Sequence, residues 1–266
     1  MRNIACIIAR TNSTRLPQKV LADVNGRKLI EHIIDRVKLV NGIDEIYIAT
    51  SKDPNDRILE EIAKAKGIKV YFGDENSVID RMLDIAEIED AANVIRITSD
   101  NIFTDQEILE STLIAHNKFN MEYTRAEFLS IGTTAEVIDV QALKRCYQMI
   151  DPNKSEYLFY YIFDPANFRT LVLIPSDKEL WQEYTSLTVD TELDLYRTKF
   201  IYDHIEELNP TYREIVQLHK RVTIPYFEID KTSRIKLPDR DNMDYQSFRK
   251  IINQRIEQSK KVDLVL

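Results

Sequence analysis

The sequence predicts an α/β fold with a mostly parallel sheet, on three observations. Residues 4–9 (IACIIA) form a continuous apolar run with β-branched residues, as suits a strand buried on both faces. Three further runs, 45–50 (EIYIAT), 69–72 (KVYF) and 93–98 (NVIRIT), read as strands of similar length. Between them lie segments whose apolar residues recur at helical spacing, and this alternation marks a parallel α/β sheet.

The elements follow in order. After the first strand comes ARTNSTRLPQK (residues 9–19), a basic loop without glycine. Asn25-Gly26 signals a turn. KLIEHIIDRVKLV then places Leu29, Ile30, Ile33, Ile34 and Val37 at helical spacing. Asp53-Pro54 reads as an N-cap with proline at the first helical position. Ile58, Leu59, Ile62 and Ala63 form that helix's apolar stripe, and Gly67 ends it. Val78, Ile79, Met82, Leu83 and Ala86 mark a third helix, and Asp105 caps a fourth. From Met121 onward the pattern loosens. A strand at 137–138, a helix at 140–149 and a strand at 170–174 are expected, and residues 187–189 read as a short strand running into a helix. Residues 210–266 hold two helices around an extended stretch, 222–229.

At 266 residues the chain can bury a sizeable core. Its formal net charge of -8 disfavours a nucleic acid as partner, while leaving room for a small anion in a local basic pocket. Two cysteines are too few for a disulfide scaffold or a structural zinc site, and Cys6 in its apolar run reads as a core residue. The histidines lack metal-ligand spacing. The run at 4–9 is too short for a signal peptide core, and no stretch is long enough to span a membrane. The expectation is a soluble cytoplasmic protein with no membrane partner.

A loop carrying Arg10, Arg15 and Lys19 directly after a strand can surround an anion, with its hydroxyls and backbone N–H groups as further donors. The alternative is a solvated polar loop. Neither G-x-x-x-x-G-K-[ST] nor G-x-G-x-x-G occurs, which excludes a P-loop and a dinucleotide fingerprint. In parallel sheets ligands bind beyond the carboxyl ends of strands, where this loop, TSKDP (50–54) and TSDN (98–101) all fall.

The loop fits A-R-x-x-S-T-R-L-P-x-K, which resembles the signature of the cytidylyltransferases that activate acidic sugars. Those include the acylneuraminate and 3-deoxy-manno-octulosonate cytidylyltransferases and the spore coat polysaccharide biosynthesis protein F group. KVLADVNGRKLIEHIIDRVKLV, EIYIATSKDPND, VIDRMLDIA, VIRITSDNIFTD and LTVDTELDLYRTKFIY continue the resemblance in order. It covers roughly residues 1–205 and implies a Rossmann-like nucleotidyltransferase domain, within which 121–175 would form the acceptor-binding and dimerisation region. Residues 206–266 are then a C-terminal helical extension, expected to pack on the domain or a twin subunit without supplying groups to the chemistry.

The resemblance implies attack of a sugar hydroxyl, usually of a 2-keto sugar acid, on the α-phosphate of CTP, for a surface glycan or glycosylation pathway. Ala9, Arg10, Ser13, Arg15 and Lys19 match nucleotide-binding positions, with Arg10, Arg15 and Lys19 as the catalytic cations beside the leaving pyrophosphate. Asp100 and Asp190 match the metal-binding aspartates, which implies magnesium. Read without the family, each is a strand-end aspartate that could equally cap a helix. Arg81 matches a position near the nucleotide or is a surface partner of Asp80 or Glu75. Thr98 stands near the base, where the octulosonate enzymes carry glutamine. Glu136 falls among acceptor-contacting positions or is an exposed loop carboxylate. A homodimer is implied through the middle region, whose aromatic cluster at 157–163 reads equally as ordinary core.

The chain departs from the pattern in places. Ser99 stands where the spore coat group has glycine, and Gln18 where glycine is common. These departures leave the acceptor open and remove neither a cation nor a carboxylate. Two other readings stand beside this one. A glycosyltransferase would use a D-x-D motif, for which Asp239-Arg240-Asp241 and Asp151 are the candidates. A non-catalytic nucleotide-binding protein would use its terminal segment to recruit a partner. The acidic stretch 239–244 lacks the glycine and terminal glutamate of a calcium loop and reads as a solvated turn.

Overall fold

The computed structural model describes residues 1–237 and 240–266, with the backbone alone for 236 and 240–242. Of the D-x-D candidate Asp239-Arg240-Asp241, Asp239 and the side chains of Arg240 and Asp241 therefore lie outside the described residues. In chain order the strands and helices are β1 (Asn3–Ile8), a hairpin of β2 (Asp23–Val24) and β3 (Arg27–Lys28), α1 (Leu29–Val37), β4 (Glu45–Ser51), α2 (Ile58–Lys66), β5 (Lys69–Gly73), α3 (Val78–Ile88) and β6 (Asn93–Thr98). The second half adds α4 (Gln106–Phe119), β7 (Tyr123–Ala126), β8 (Glu136–Asp139), α5 (Val140–Met149), α6 (Leu158–Ile162), β9 (Thr170–Pro175), α7 (Glu192–His204) and α8 (Tyr212–Arg221). The chain ends with β10 (Arg234–Leu237), β11 (Arg240–Asp244), α9 (Tyr245–Gln258) and β12 (Lys260–Leu264).

Eight strands form one sheet in the order β12-β9-β7-β8-β6-β1-β4-β5. Every pairing in it is parallel except those of β8 with β6 and with β7. The expected strands and helices of the first half are all present. β1 is apolar from Ile4 to Ile8 because helices cover both faces. Ala5 and Ile7 join a core with α1, α2, α4, α7 and α8, while Ile4 and Cys6 join a second core with α3, α5, α6 and α9. Burial at this density removes apolar surface from water on both sides of one strand, the main stabilising term of such a fold.

Local signals also act as expected. Asn25 and Gly26 take φ of 50° and 75°, the left-handed pair that turns β2 into β3. Asp53 caps a short 3₁₀ turn, Pro54–Arg57, that leads into α2, and Gly67 closes α2 at φ 63°. Asp105 accepts from the N–H groups of Glu107 and Ile108 at the start of α4.

The structure differs from the sequence reading in four places. Residues 187–189 form no ladder, because the N–H of Leu187 bonds Ile131 (2.7 Å) and that of Val189 bonds Asp100 (2.9 Å). Their apolar signal reflects burial, not sheet pairing. The stretch 222–229 is irregular, with one isolated bridge from Glu228 to Thr185. The acidic stretch read as a solvated turn contributes β11, which pairs with β10, and Asp244 caps α9. The segment after residue 205 does hold helices, but it also returns to the sheet as the edge strand β12, parallel to β9. Among the described residues no helix is long and apolar enough to cross a membrane.

Candidate active site

A cleft of about 550 Å³ opens at the carboxyl ends of β1 and β6. Ala9, Arg10, Ser13, Arg15 and Lys19 line it from the basic loop. Arg81, Thr98, Asp100 and Asp190 line it from α3, the end of β6 and the segment before α7. The residues singled out for nucleotide and metal thus converge, although they are spread over most of the chain.

The basic loop is anchored at both ends. The N–H and hydroxyl of Thr11 both donate to Asp56 Oδ1 at 2.7 Å, and the hydroxyl of Ser51 donates to Oδ2 at 2.5 Å. The N–H of Gln18 returns to the carbonyl of Thr11 at 3.1 Å. Gln18 sits at φ 55°, ψ 27°, a left-handed conformation in which glycine would be unstrained. Burial pushes the Asp56 carboxyl up, but the Ser51 and Thr11 donors outweigh it and hold it below the usual carboxylate value. A depressed folded pKa contributes stability that is complete above the unfolded value of about 3.9 and is lost as pH falls through the folded one. Asp56→Ala is therefore expected to lower stability by about 1.5–3 kcal/mol, the scale of hydrogen bonds to a charged group. Urea unfolding at neutral pH checks the loss, and the gap from wild type should narrow in acid.

Lys19 is the centre of the cleft's charge. Its Nζ lies 2.8 Å from Asp190 Oδ1 and 3.9 Å from Asp100 Oδ2. Arg15, largely exposed, places Nη2 3.0 Å from the same Asp190 oxygen. Arg10 turns to the other rim, donating to the carbonyl of Glu75 at 3.1 Å. The exposed pair of Arg15 with Asp190 stabilises little, typically about 0–1 kcal/mol, so phosphate oxygens can replace that partner cheaply.

Arg81 is fully buried, which excludes the surface salt bridge. Its Nη1 donates to the carbonyl of Ala49 at 2.7 Å, while Nη2 is buried without a hydrogen-bond partner. Burial lowers its pKa to about 10. Gly73 makes room for it, since a Cβ there would lie 2.5 Å from Arg81 Cγ. Ser99 is not among the residues with positive φ, so a serine stands there without backbone strain.

Asp100 and Asp190 are joined through the backbone. Val189 N–H donates to the carbonyl of Asp100, and Asp190 N–H donates to Asp194 Oδ2 at 3.1 Å. Thr191 and Asp194 form a capping box that starts α7, so neither Asp100 nor Asp190 supplies a cap. Both carboxylates face Lys19, and Asp100 Oδ1 is buried with no hydrogen-bond partner. Among the described residues no group of three or more His, Cys, Asp or Glu side chains is placed to hold a metal by itself. Two carboxylates fit magnesium, which commonly takes one or two from the protein and completes its shell with substrate phosphates and water. Asp151, the other D-x-D candidate, caps a 3₁₀ turn through Asn153 N–H.

A second cavity of about 180 Å³ adjoins the cleft, and Arg96 and Thr98 line both. Glu136 lies here on β8, buried, and is not an exposed loop carboxylate. It accepts from Tyr123 Oη and Arg96 Nη1, each at 2.6 Å. Burial raises its pKa, but Arg96 and Arg125 outweigh burial and hold it below the usual value. The aromatic cluster divides: Phe163 stacks in the core on Tyr123, Tyr157 lines the cleft, and Phe159 lies under Arg125 at 4.2 Å.

Sequence reasoning missed Asp56, Arg96, Arg125, Glu127 and Arg249. Arg96 carried a signal, a charge inside an otherwise apolar strand. Arg249 carried none, because its partner Glu127 is 122 residues away. Its helix α9 packs on the domain and supplies Tyr245 and Arg249 to the lining of the second cavity.

The family model described as Cytidylyltransferase matches residues 4–235. The spore coat polysaccharide biosynthesis protein SpsF of Bacillus subtilis is 31% identical over 215 residues, covering 78% of this chain and 89% of that protein. An uncharacterised protein of Methanocaldococcus jannaschii is 26% identical over 252 residues, covering 94% of this chain and 99% of its own. Among solved structures, a cytidylyltransferase from Leptospira borgpetersenii serovar Hardjo-bovis superposes with a TM-score of 0.79 at 22% identity, over 86% of this chain and 99% of that one.

Proposed function

Because the chain belongs to the cytidylyltransferase family, we propose that it transfers CMP from CTP to a sugar or 2-keto sugar acid for synthesis of a surface polysaccharide or glycoconjugate. The observation that carries this reading is the placement of Lys19 between Asp100 and Asp190 in a cleft rimmed by Arg10 and Arg15. A sugar hydroxyl attacks the α-phosphorus and gives up its proton to solvent, the bond to the bridging oxygen breaks, and pyrophosphate departs with the electron pair. Negative charge gathers on the leaving group, and Arg10, Arg15 and Lys19 are arranged to receive it. Ser13 adds a hydroxyl donor at the same wall. Arg81 and Thr98 lie deeper, where the nucleoside would rest. Magnesium, when held by Asp100, Asp190 and phosphate oxygens, would polarise the α-phosphate. The second cavity, reached past Arg96 and Thr98, is the place for the acceptor, with Glu136 on its wall.

Pyrophosphate release tests the reading. With magnesium and a panel of sugar acids and neutral sugars, release is expected from CTP in preference to ATP, GTP or UTP. Equal release from all four would undo the base assignment. No release with any acceptor would undo the transfer.

A further inference from the structure

The wall of the second cavity is an unbroken chain of opposite charges. Arg96 meets Glu136 at 2.6 Å, Glu136 meets Arg125 at 3.6 Å, and Arg125 Nε meets Glu127 Oε1 at 2.9 Å. Glu127 meets Arg249 at 2.8 Å, and Arg249 meets Glu183 at 3.0 Å. Arg249 and Glu127 keep only 8% and 4% of their side chains exposed. Such a chain is a poor stabilising device, since removing charges from water costs about what their attraction returns, and apolar residues of similar volume would serve as well. The Nε atoms of Arg96, Arg125 and Arg249 are buried without hydrogen-bond partners, so the chain is also incompletely satisfied as a structural device.

Alternating guanidinium donors and carboxylate acceptors suit hydroxyls, which donate and accept at once. The three arginines are matched by Glu127 and Glu136 on the wall and by Glu183, which pairs with Arg249 from outside the lining, so the charges around the cavity balance. At about 180 Å³ the cavity has room for several waters or for one sugar ring or polyol chain. Two of its lining residues, Tyr245 and Arg249, come from α9, beyond the family-matched segment 4–235.

We propose that Arg249, paired with Glu127, determines acceptor specificity by binding the uncharged, hydroxyl-bearing end of the acceptor sugar. The inference rests on the cytidylyl-transfer reading above and assigns the terminal helix to the acceptor side of it. The reacting end of the sugar faces the nucleotide past Arg96 and Thr98, and α9 closes the far wall.

The test uses the full chain with Arg249→Lys, which keeps the charge and loses the fork, and Glu127→Gln, which keeps the shape and loses the charge. Kinetics are measured with CTP, magnesium and four acceptors: 3-deoxy-manno-octulosonate, its 8-amino-8-deoxy analogue, N-acetylneuraminate and mannose. Either variant is expected to raise the acceptor KM by about tenfold or more, or to reorder the acceptors, the scale of one hydrogen bond to a charged group. The KM for CTP should stay near that of wild type, while the melting temperature falls somewhat with Glu127→Gln, which takes the charge from one side of a buried pair. Wild-type turnover with both variants keeping acceptor KM and ranking would overturn the inference alone. A parallel rise in both KM values with early melting would make the pair a strut and overturn it as well. A wild type that binds CTP and turns over none of the four would defeat the transfer reading, and the inference with it.

Discussion

Replacing Lys19 by alanine is expected to lower kcat on the order of a hundredfold or more, the usual loss when one charge contact to a transition state is removed. The geometry sets this expectation. Lys19 is only 13% exposed in its side chain and is the one loop cation within reach of both Asp190 and Asp100. Arg15 touches Asp190 from a largely exposed position, and Arg10 sits against Glu75. Water can replace Arg15 more readily than Lys19, so Arg15→Ala should cost less. KM for CTP should move less than kcat if Lys19 acts mainly on departing charge. Steady-state pyrophosphate release with saturating CTP checks both points, and a Lys19→Ala enzyme within a few fold of wild type would remove the loop from the chemistry.

Asp190→Asn should weaken magnesium-dependent turnover by about a hundredfold or more while leaving the fold intact, because it keeps shape and removes one of two carboxylates from the proposed metal site. The substitution also deprives Lys19 and Arg15 of their shared partner. The two roles separate in a magnesium titration. If Asp190 holds the metal, half-saturation shifts to higher magnesium and metal and CTP bind less cooperatively. If it only positions Lys19, turnover falls and half-saturation stays in place.

What the sequence made legible follows from physics that is local. β1 was visible because both its faces are covered, so no polar residue interrupts the run. Asn25-Gly26, Gly67 and Asp105 were visible because a turn, a helix end and an N-cap each demand particular residues at particular places. Edge strand β12 was hidden by its composition, KKVDL, in which three of five residues are charged and suit an exposed edge. Residues 187–189 misled because burial leaves the same apolar imprint whether or not a ladder forms. The first-half site residues were readable through the motif around 9–19. Asp56 was hidden behind a helix start that Asp53-Pro54 already explained. The pairing of Arg249 with Glu127 depends on folding that brings α9 to the residue just after β7, and neither residue announces the other.

Transfer of a cytidylyl group in this cleft can be followed directly. The most direct measurement follows two labels, one on the α-phosphate of CTP and one on the γ-phosphate, through a reaction with magnesium and an accepted sugar. The α label is expected in the sugar product and the γ label in pyrophosphate. The γ label in the sugar, or both labels left in intact CTP with every acceptor, would contradict it.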